Sequence, residues 1–169
     1  MKKKILIILL VCILLIINAC GIQSSVDKDE QKAYMQFEST LTAIQKKDKK
    51  ALRKEFTQKA IQGSNNFGSD EEKLFDFIQG KLESWKNVSS SGGKSTDEGK
   101  SRVEEYMLYT LQTSKETYEI TIVSYVKNEL DHNDTGIHQL FIVKAKDQDA
   151  LFSYEQSIQD PGLYILENN

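Results

Sequence analysis

The chain has 169 residues, 39% hydrophobic and 28% charged, with a formal net charge of −3. An acidic balance gives no general attraction toward nucleic acid or an anionic lipid surface, so nucleic-acid binding is disfavoured. Both cysteines, Cys12 and Cys20, fall in the first 20 residues, so the rest of the chain offers no disulfide, no thiol nucleophile and no cysteine-ligated metal.

The N-terminus opens with Lys2, Lys3 and Lys4, followed by an unbroken apolar run of 13 residues, Ile5 to Ile17. A spanning helix needs about 20 apolar residues, so a basic n-region before a run this short reads as a secretory leader. Ile17-Asn18-Ala19-Cys20-Gly21 then resembles the bacterial lipobox, with an aliphatic residue three before the cysteine and small residues beside it. That resemblance implies diacylglyceryl transfer to the Cys20 sulfur and cleavage just before it. Acyl chains of the palmitate kind then give durable attachment, at about 0.8 kcal/mol per buried methylene. The expected organisation is a signal peptide at 1–19, a lipidated N-terminus and flexible tether at 20–29, and a single α+β domain at 30–169. Its expected location is the extracytoplasmic face of a Gram-positive type of cell membrane. Loss of the three leader lysines takes the basic residues from 22 to 19 against 25 acids, a net of −6.

In the domain, Tyr34, Phe37, Leu41 and Ile44 recur at helical spacing and predict a first helix from about Asp29 to Lys46. Asp48 is placed to cap a second short helix carrying Ala51, Leu52 and Phe56. Six lysines and arginines crowd the stretch from Lys46 to Lys54; such a corner could touch lipid phosphates, but a solvated face is the simpler reading. After the Gly63–Gly68 loop, Ser69-x-x-Glu72 has the pattern of a capping box. It predicts a third helix with Leu74, Phe75, Ile78, Leu82 and Trp85 on one broad face. Trp85, the only tryptophan, is either a core residue or a ring that stacks on a ligand at a cavity mouth.

From Val88 the composition changes. Ser89 to Gly93 and the polar residues up to Lys100 suggest a short strand followed by a flexible hairpin. Arg102 to Gln112, Thr117 to Lys127 and Ile137 to Lys146 read as strands, and Tyr118, Ile120, Ile122, Ser124 and Val126 share one face of the second. Gln148 to Gln159 reads as a short helix or loop, and Pro161-Gly162 turns into a last strand, Leu163 to Leu166. Helices followed by strands with no helix between them predict an α+β fold: three helices packed on an antiparallel sheet of about four to five strands.

The helix corner Ile44 to Phe56, Gly136-Ile137-His138-Gln139-Leu140 and Pro161-Gly162-Leu163-Tyr164, together with the lipobox leader, resemble an uncharacterised family of Gram-positive lipoproteins. That family is defined only as a domain of unknown function, number 5104. The element order is similar to the nuclear-transport-factor-2-like superfamily. This likeness implies a curved sheet wrapped around the helices as a cone, with Tyr34, Trp85, Tyr106 and Tyr118 as candidate pocket-lining residues. Members of that superfamily include isomerases, dehydratases and non-catalytic modules, and fold alone does not choose among them. The acid and hydrogen-bond donors of the isomerases find no matching positions here.

Asp131, His132, Asp134 and His138 are the remaining candidates for metal chemistry, but their spacing matches no established site and their composition is that of a hairpin turn. Neither a G-x-S-x-G elbow nor a P-loop is present. The sequence therefore points to a lipid-anchored, non-catalytic module, with no catalytic residues, metal or cofactor assigned. Its expected partners are the membrane through Cys20, a small molecule, peptide or protein, and a second copy through the sheet face. The alternative is a cone-fold lyase or isomerase acting on a small apolar substrate.

Overall fold

The computed structural model describes residues 28–64, 66–149, 151 and 160–167. The leader, the lipobox with Cys20 and most of the predicted helix or loop at 148–159 lie outside the described residues.

Helix α1 runs from Lys28 to Gln45 and buries Ala33, Phe37, Thr40, Leu41, Ala43 and Ile44; of the stripe expected from the sequence, Phe37, Leu41 and Ile44 are buried and Tyr34 is half-buried. It begins at Lys28, inside the stretch read as tether. It ends in a Schellman motif: the Asp48 amide donates to Ala43 O and the Lys47 amide to Ile44 O, with Lys47 at φ 52° in the left-handed region. Asp48 then caps α2 (Lys49–Glu55), accepting from the Ala51 amide at 2.9 Å as expected.

The second predicted helix breaks after Glu55. Phe56 forms a single parallel bridge to Ile137, and the Thr57 amide donates to Ile137 O at 2.9 Å. Thr57 next caps a separate helix, α3 (Gln58–Gly63). Four helices therefore precede the sheet among the described residues, where three were expected.

Helix α4 spans Phe67–Phe77, shorter than the stretch read from the sequence and without the expected capping box. Its N-cap is Asn66, so Ser69 and Glu72 lie inside the first turns. It stops because Gly80, at φ 88°, turns the chain beneath Ser114 and Lys115, where a Cβ would meet Ser114 Oγ at 2.9 Å. Trp85 consequently sits on a strand.

Strands β1 (Leu82–Asp97), β2 (Lys100–Thr113), β3 (Thr117–Asn128) and β4 (Gly136–Lys144) form an antiparallel meander in sequence order. The stretch from Ser89 to Lys100, expected as a short strand followed by a flexible hairpin, is instead strand throughout as far as Asp97. The chain reverses only at Glu98-Gly99, both with positive φ (46° and 80°), the signature of a two-residue type I′ turn. The sheet is mixed, because β5 (Gly162–Leu166) pairs with β4 in parallel, from Gln139↔Gly162 to Val143↔Leu166. Residues 145–161 separate the two strands, and a parallel return needs a connection of about a dozen residues or more.

The main core lies between the helices and one face of the sheet. Phe37, Leu52, Phe56, Phe67 and Leu74 meet Met107, Tyr109, Ile120, Ile137, Leu140 and Ile142 there. A smaller cluster of Phe141, Val143, Leu151 and Leu166 occupies the opposite face.

Candidate functional site

The most densely built region of the inner face is aromatic. Phe37 of α1 and Tyr109 of β2 stack with centroids 3.5 Å apart and planes within 4°. Trp85 of β1 meets both edge-on, at 5.1 and 5.7 Å, and Tyr34 meets Tyr109 edge-on at 6.4 Å. Such pairs add about 0.5–1.5 kcal/mol each beyond the area they bury. The Tyr109 hydroxyl donates to Met107 Sδ at 2.9 Å, and burial pushes its pKa far above the usual phenol range.

Of the four candidate pocket residues, Tyr34 and Trp85 come together around Tyr109. Tyr118 is fully buried elsewhere: its hydroxyl donates to Phe77 O and accepts from the Gln79 amide, both at 2.9 Å, and so closes the end of α4. Tyr106 is half-buried on β2, at the opposite strand parity to Met107 and Tyr109, which belong to the inner core. Sequence reasoning placed Phe37 and Tyr109 on their elements but did not place them in one cluster. They lie far apart in sequence, and nothing local announces their stack.

Three of the basic-corner residues reach α4. Arg53 grips Glu71 in a bidentate pair at 2.7–2.9 Å, and Glu71 is fully buried. Lys47 pairs with Asp76 at 2.9 Å and Lys49 with Glu72 at 2.5 Å, all four side chains exposed. The basic run thus fastens α2 and the end of α1 to the acidic side of α4.

Beside this seam, a cavity of about 130 Å³ lies between the C-terminal ends of α1 and α4 and the beginning of the sheet. Leu41, Ile44, Phe75, Ile78, Leu82 and Leu111 form its apolar wall, with Gln45 and Lys47 as its polar members. A more polar, open cleft of about 370 Å³ lies between the start of α1 and β1, bordered by Asp29, Glu30, Ser90, Lys94 and Glu105. In it Glu30 accepts from Ser90 Oγ at 2.9 Å.

A polar cluster gathers around His138. The β3–β4 register steps from Val123↔Gln139 to Ser124↔Ile137, leaving His138 as the extra residue of a bulge. Its ring packs on Tyr125 at 4.6 Å, and the Arg102 guanidinium covers the Tyr125 ring at 4.8 Å. Buried Asp134 accepts from Lys59 at 3.0 Å through one oxygen, and Lys59 also reaches Asp131 at 3.4 Å. Among the described residues, the other Asp134 oxygen and His138 Nδ1 are buried without hydrogen-bond partners. Burial lowers the His138 pKa, while nearby Asp134 and Glu104 oppose that shift. Asp131 plays the expected turn role, accepting from the Asn133 amide at 3.2 Å, and His132 is exposed. No group of three or more His, Cys, Asp or Glu side chains among the described residues could hold a metal ion.

The sequence model of a family described as a domain of unknown function (DUF5104) matches residues 39–145. The chain belongs to this family. The matched span runs from within α1 to just past β4 and so takes in the seam, the apolar cavity and the His138 cluster. No curated protein matches the chain. No helix among the described residues is long and apolar enough to cross a membrane.

Proposed function

We propose that this family member is an extracytoplasmic lipoprotein, tethered through lipidated Cys20, that works as a non-catalytic ligand- or partner-binding module. The observation that carries this reading is the Phe37–Tyr109–Trp85 stack. Where a cone-shaped enzyme would hold substrate against an acid or base, this sheet face holds its own aromatic rings. Helices followed by a strand meander support the likeness to the nuclear-transport-factor-2-like cone, but as a filled version of it.

A cone-fold lyase or isomerase is the second reading, favoured by the meeting of Tyr125, His138, Asp134 and Lys59. Against it, His138 Nδ1 has no partner among the described residues, so the imidazole lacks the hydrogen bond that orients a general base.

Two measurements test the proposal. Cys20→Ser should abolish metabolic lipid labelling and release the protein or leave its leader uncleaved; normal labelling would overturn the anchor. A thermal-shift and native-mass screen should find compounds that bind and are recovered unchanged. Conversion of a bound compound would overturn the non-catalytic assignment.

A further inference from the structure

We propose that the cavity between the ends of α1 and α4 binds a small apolar molecule, a single aromatic ring or a branched chain of similar bulk with an uncharged polar head. This rests on the binding-module reading and names its site. Leu41, Ile44, Phe75 and Leu111 are each at most 7% exposed, so most of the wall belongs to the main core. A wall fixed in this way cannot easily collapse into the space it encloses. Its apolar wall offers water few partners, with Gln45 and Lys47 on the side open to solvent, and a closed Leu/Ile/Phe-lined void of about 150 Å³ is known to take benzene or xenon. At about 130 Å³, this cavity fits a guest of that size and is well below the roughly 300 Å³ at which sites for drug-sized ligands begin. Nucleotides, sterols and long acyl chains are therefore too large.

The rim narrows the chemistry further. Gln45 supplies an amide, which can both donate and accept. Lys47 is held 2.9 Å from Asp76, so its ammonium already has a carboxylate beside it. A hydroxyl or amide head can use the amide and any remaining ammonium donor. A carboxylate head gains no net attraction there, because the charges of Lys47 and Asp76 cancel, and it must still give up its water on entering an apolar space. The small volume beneath the rim favours a free molecule over the tip of a partner's side chain, which must bring its own backbone to the rim.

The test uses the full chain in phospholipid nanodiscs, isotopically labelled at Ile and Leu methyls, titrated with benzyl alcohol and separately with phenylacetate. Benzyl alcohol should give saturable shifts at Leu41, Ile44, Ile78, Leu82 and Leu111, with phenylacetate at least tenfold weaker. Leu82→Phe, at a half-buried wall position, should fill the void and weaken benzyl alcohol at least tenfold while holding or raising the melting temperature. Ile44→Phe is the second filling variant, should the first perturb the strand. Absence of saturable shifts, or shifts untouched by both folded variants, overturns the site. Phenylacetate binding as tightly as benzyl alcohol overturns the assigned head group. If the cavity fails while other compounds still bind unchanged, the module reading stands without this site. If benzyl alcohol is bound and converted, the site stands and the non-catalytic reading falls.

Discussion

The inner face of the sheet carries Tyr109, Tyr118, Ile120 and Ile142 against the helices, and both tyrosine hydroxyls there have partners. At the His138 cluster, by contrast, Asp134 and His138 each keep a buried polar atom without a partner among the described residues. A buried polar group left unmatched costs about 1–3 kcal/mol. The inner face is thus optimised for packing, whereas the cluster holds charge in a state that proton uptake can change. Stability should respond to volume on the first and to pH at the second.

Phe37→Ala offers the strongest test of the inner face. It removes the ring stacked on Tyr109 and leaves Trp85 with one of its two edge-on partners, which should cost about 3–5 kcal/mol in denaturant unfolding. Tyr164→Ala removes a half-buried ring stacked on Phe141 at 4.9 Å on the other face and should cost clearly less. Equal losses would show that the two faces contribute alike.

Arg53→Met comes next. It leaves the carboxylate of fully buried Glu71 without its guanidinium. Removing one partner of a buried pair typically costs 3–5 kcal/mol. Because the Arg53 side chain is 46% exposed, about 2 kcal/mol is expected here. The double variant Arg53→Met/Glu71→Leu should recover most of that loss. Failure to recover would show that Arg53 acts through Phe67, whose ring its guanidinium approaches at 6.0 Å.

The pH test addresses the cluster. Burial holds the folded His138 pKa below its ordinary 6.5, with Asp134 and Glu104 favouring the proton and Lys59 and Arg102 opposing it. The unfolded chain therefore binds the proton first as pH falls. The contribution of neutral His138 is complete above about pH 6.5 and is lost as pH drops through that value toward the folded pKa. Glu129, lowered to about 2 by Lys127 and Ser101, acts in a separate window, from its ordinary 4.5 downward. Unfolding curves between pH 8 and 5 should show the loss in the natural chain and a flatter profile in His138→Gln. Glu55 and Glu119, whose pKa values burial raises, add stability on acidification in both chains, so the difference between the two profiles isolates His138; a natural chain that gains more on acidification than His138→Gln would mean that Asp134 outweighs burial.

Much of the fold was legible because its signals are local. The α1 stripe, the Asp48 cap and the inner parity of Tyr118, Ile120 and Ile122 follow from periodicity and side-chain chemistry within a few residues. The errors arose where a distant contact decided. Leu82 and Trp85 continue a helical pattern, yet Gly80 and the Ser114 turn redirect them into β1. Ser89 to Gly93 has the composition of a loop, and only pairing with Tyr106 to Leu108 and neighbouring β2 residues makes it a strand. The parallel β5 was hinted at by the long stretch between β4 and Gly162, a length that no tight hairpin needs. Of the residues weighed for metal chemistry, Asp134 was visible in a turn and His138 on the strand that follows it. Lys59 and Tyr125, which complete the cluster, come from elements whose meeting the sequence does not encode locally.

The smallest effect is expected at Lys47, on the margin of the apolar cavity. A non-glycine residue in the left-handed region carries a strain of about 1–2 kcal/mol, and Lys47 sits there at φ 52° to close the Schellman motif. Lys47→Gly relieves that strain but gives up the ion pair with Asp76, whose side chains are 60% and 78% exposed. Exposed pairs contribute about 0–1 kcal/mol. Relief of strain should prevail, so the variant should be more stable by about 0.5–1 kcal/mol, with a slightly higher melting temperature. Lys47→Ala separates the two terms, because it loses the same ion pair and keeps the strained backbone. It should be neutral to slightly destabilised. If both variants lose stability equally, the ion pair to α4 outweighs the backbone conformation, and the seam beside the cavity depends on charge more than on its turn.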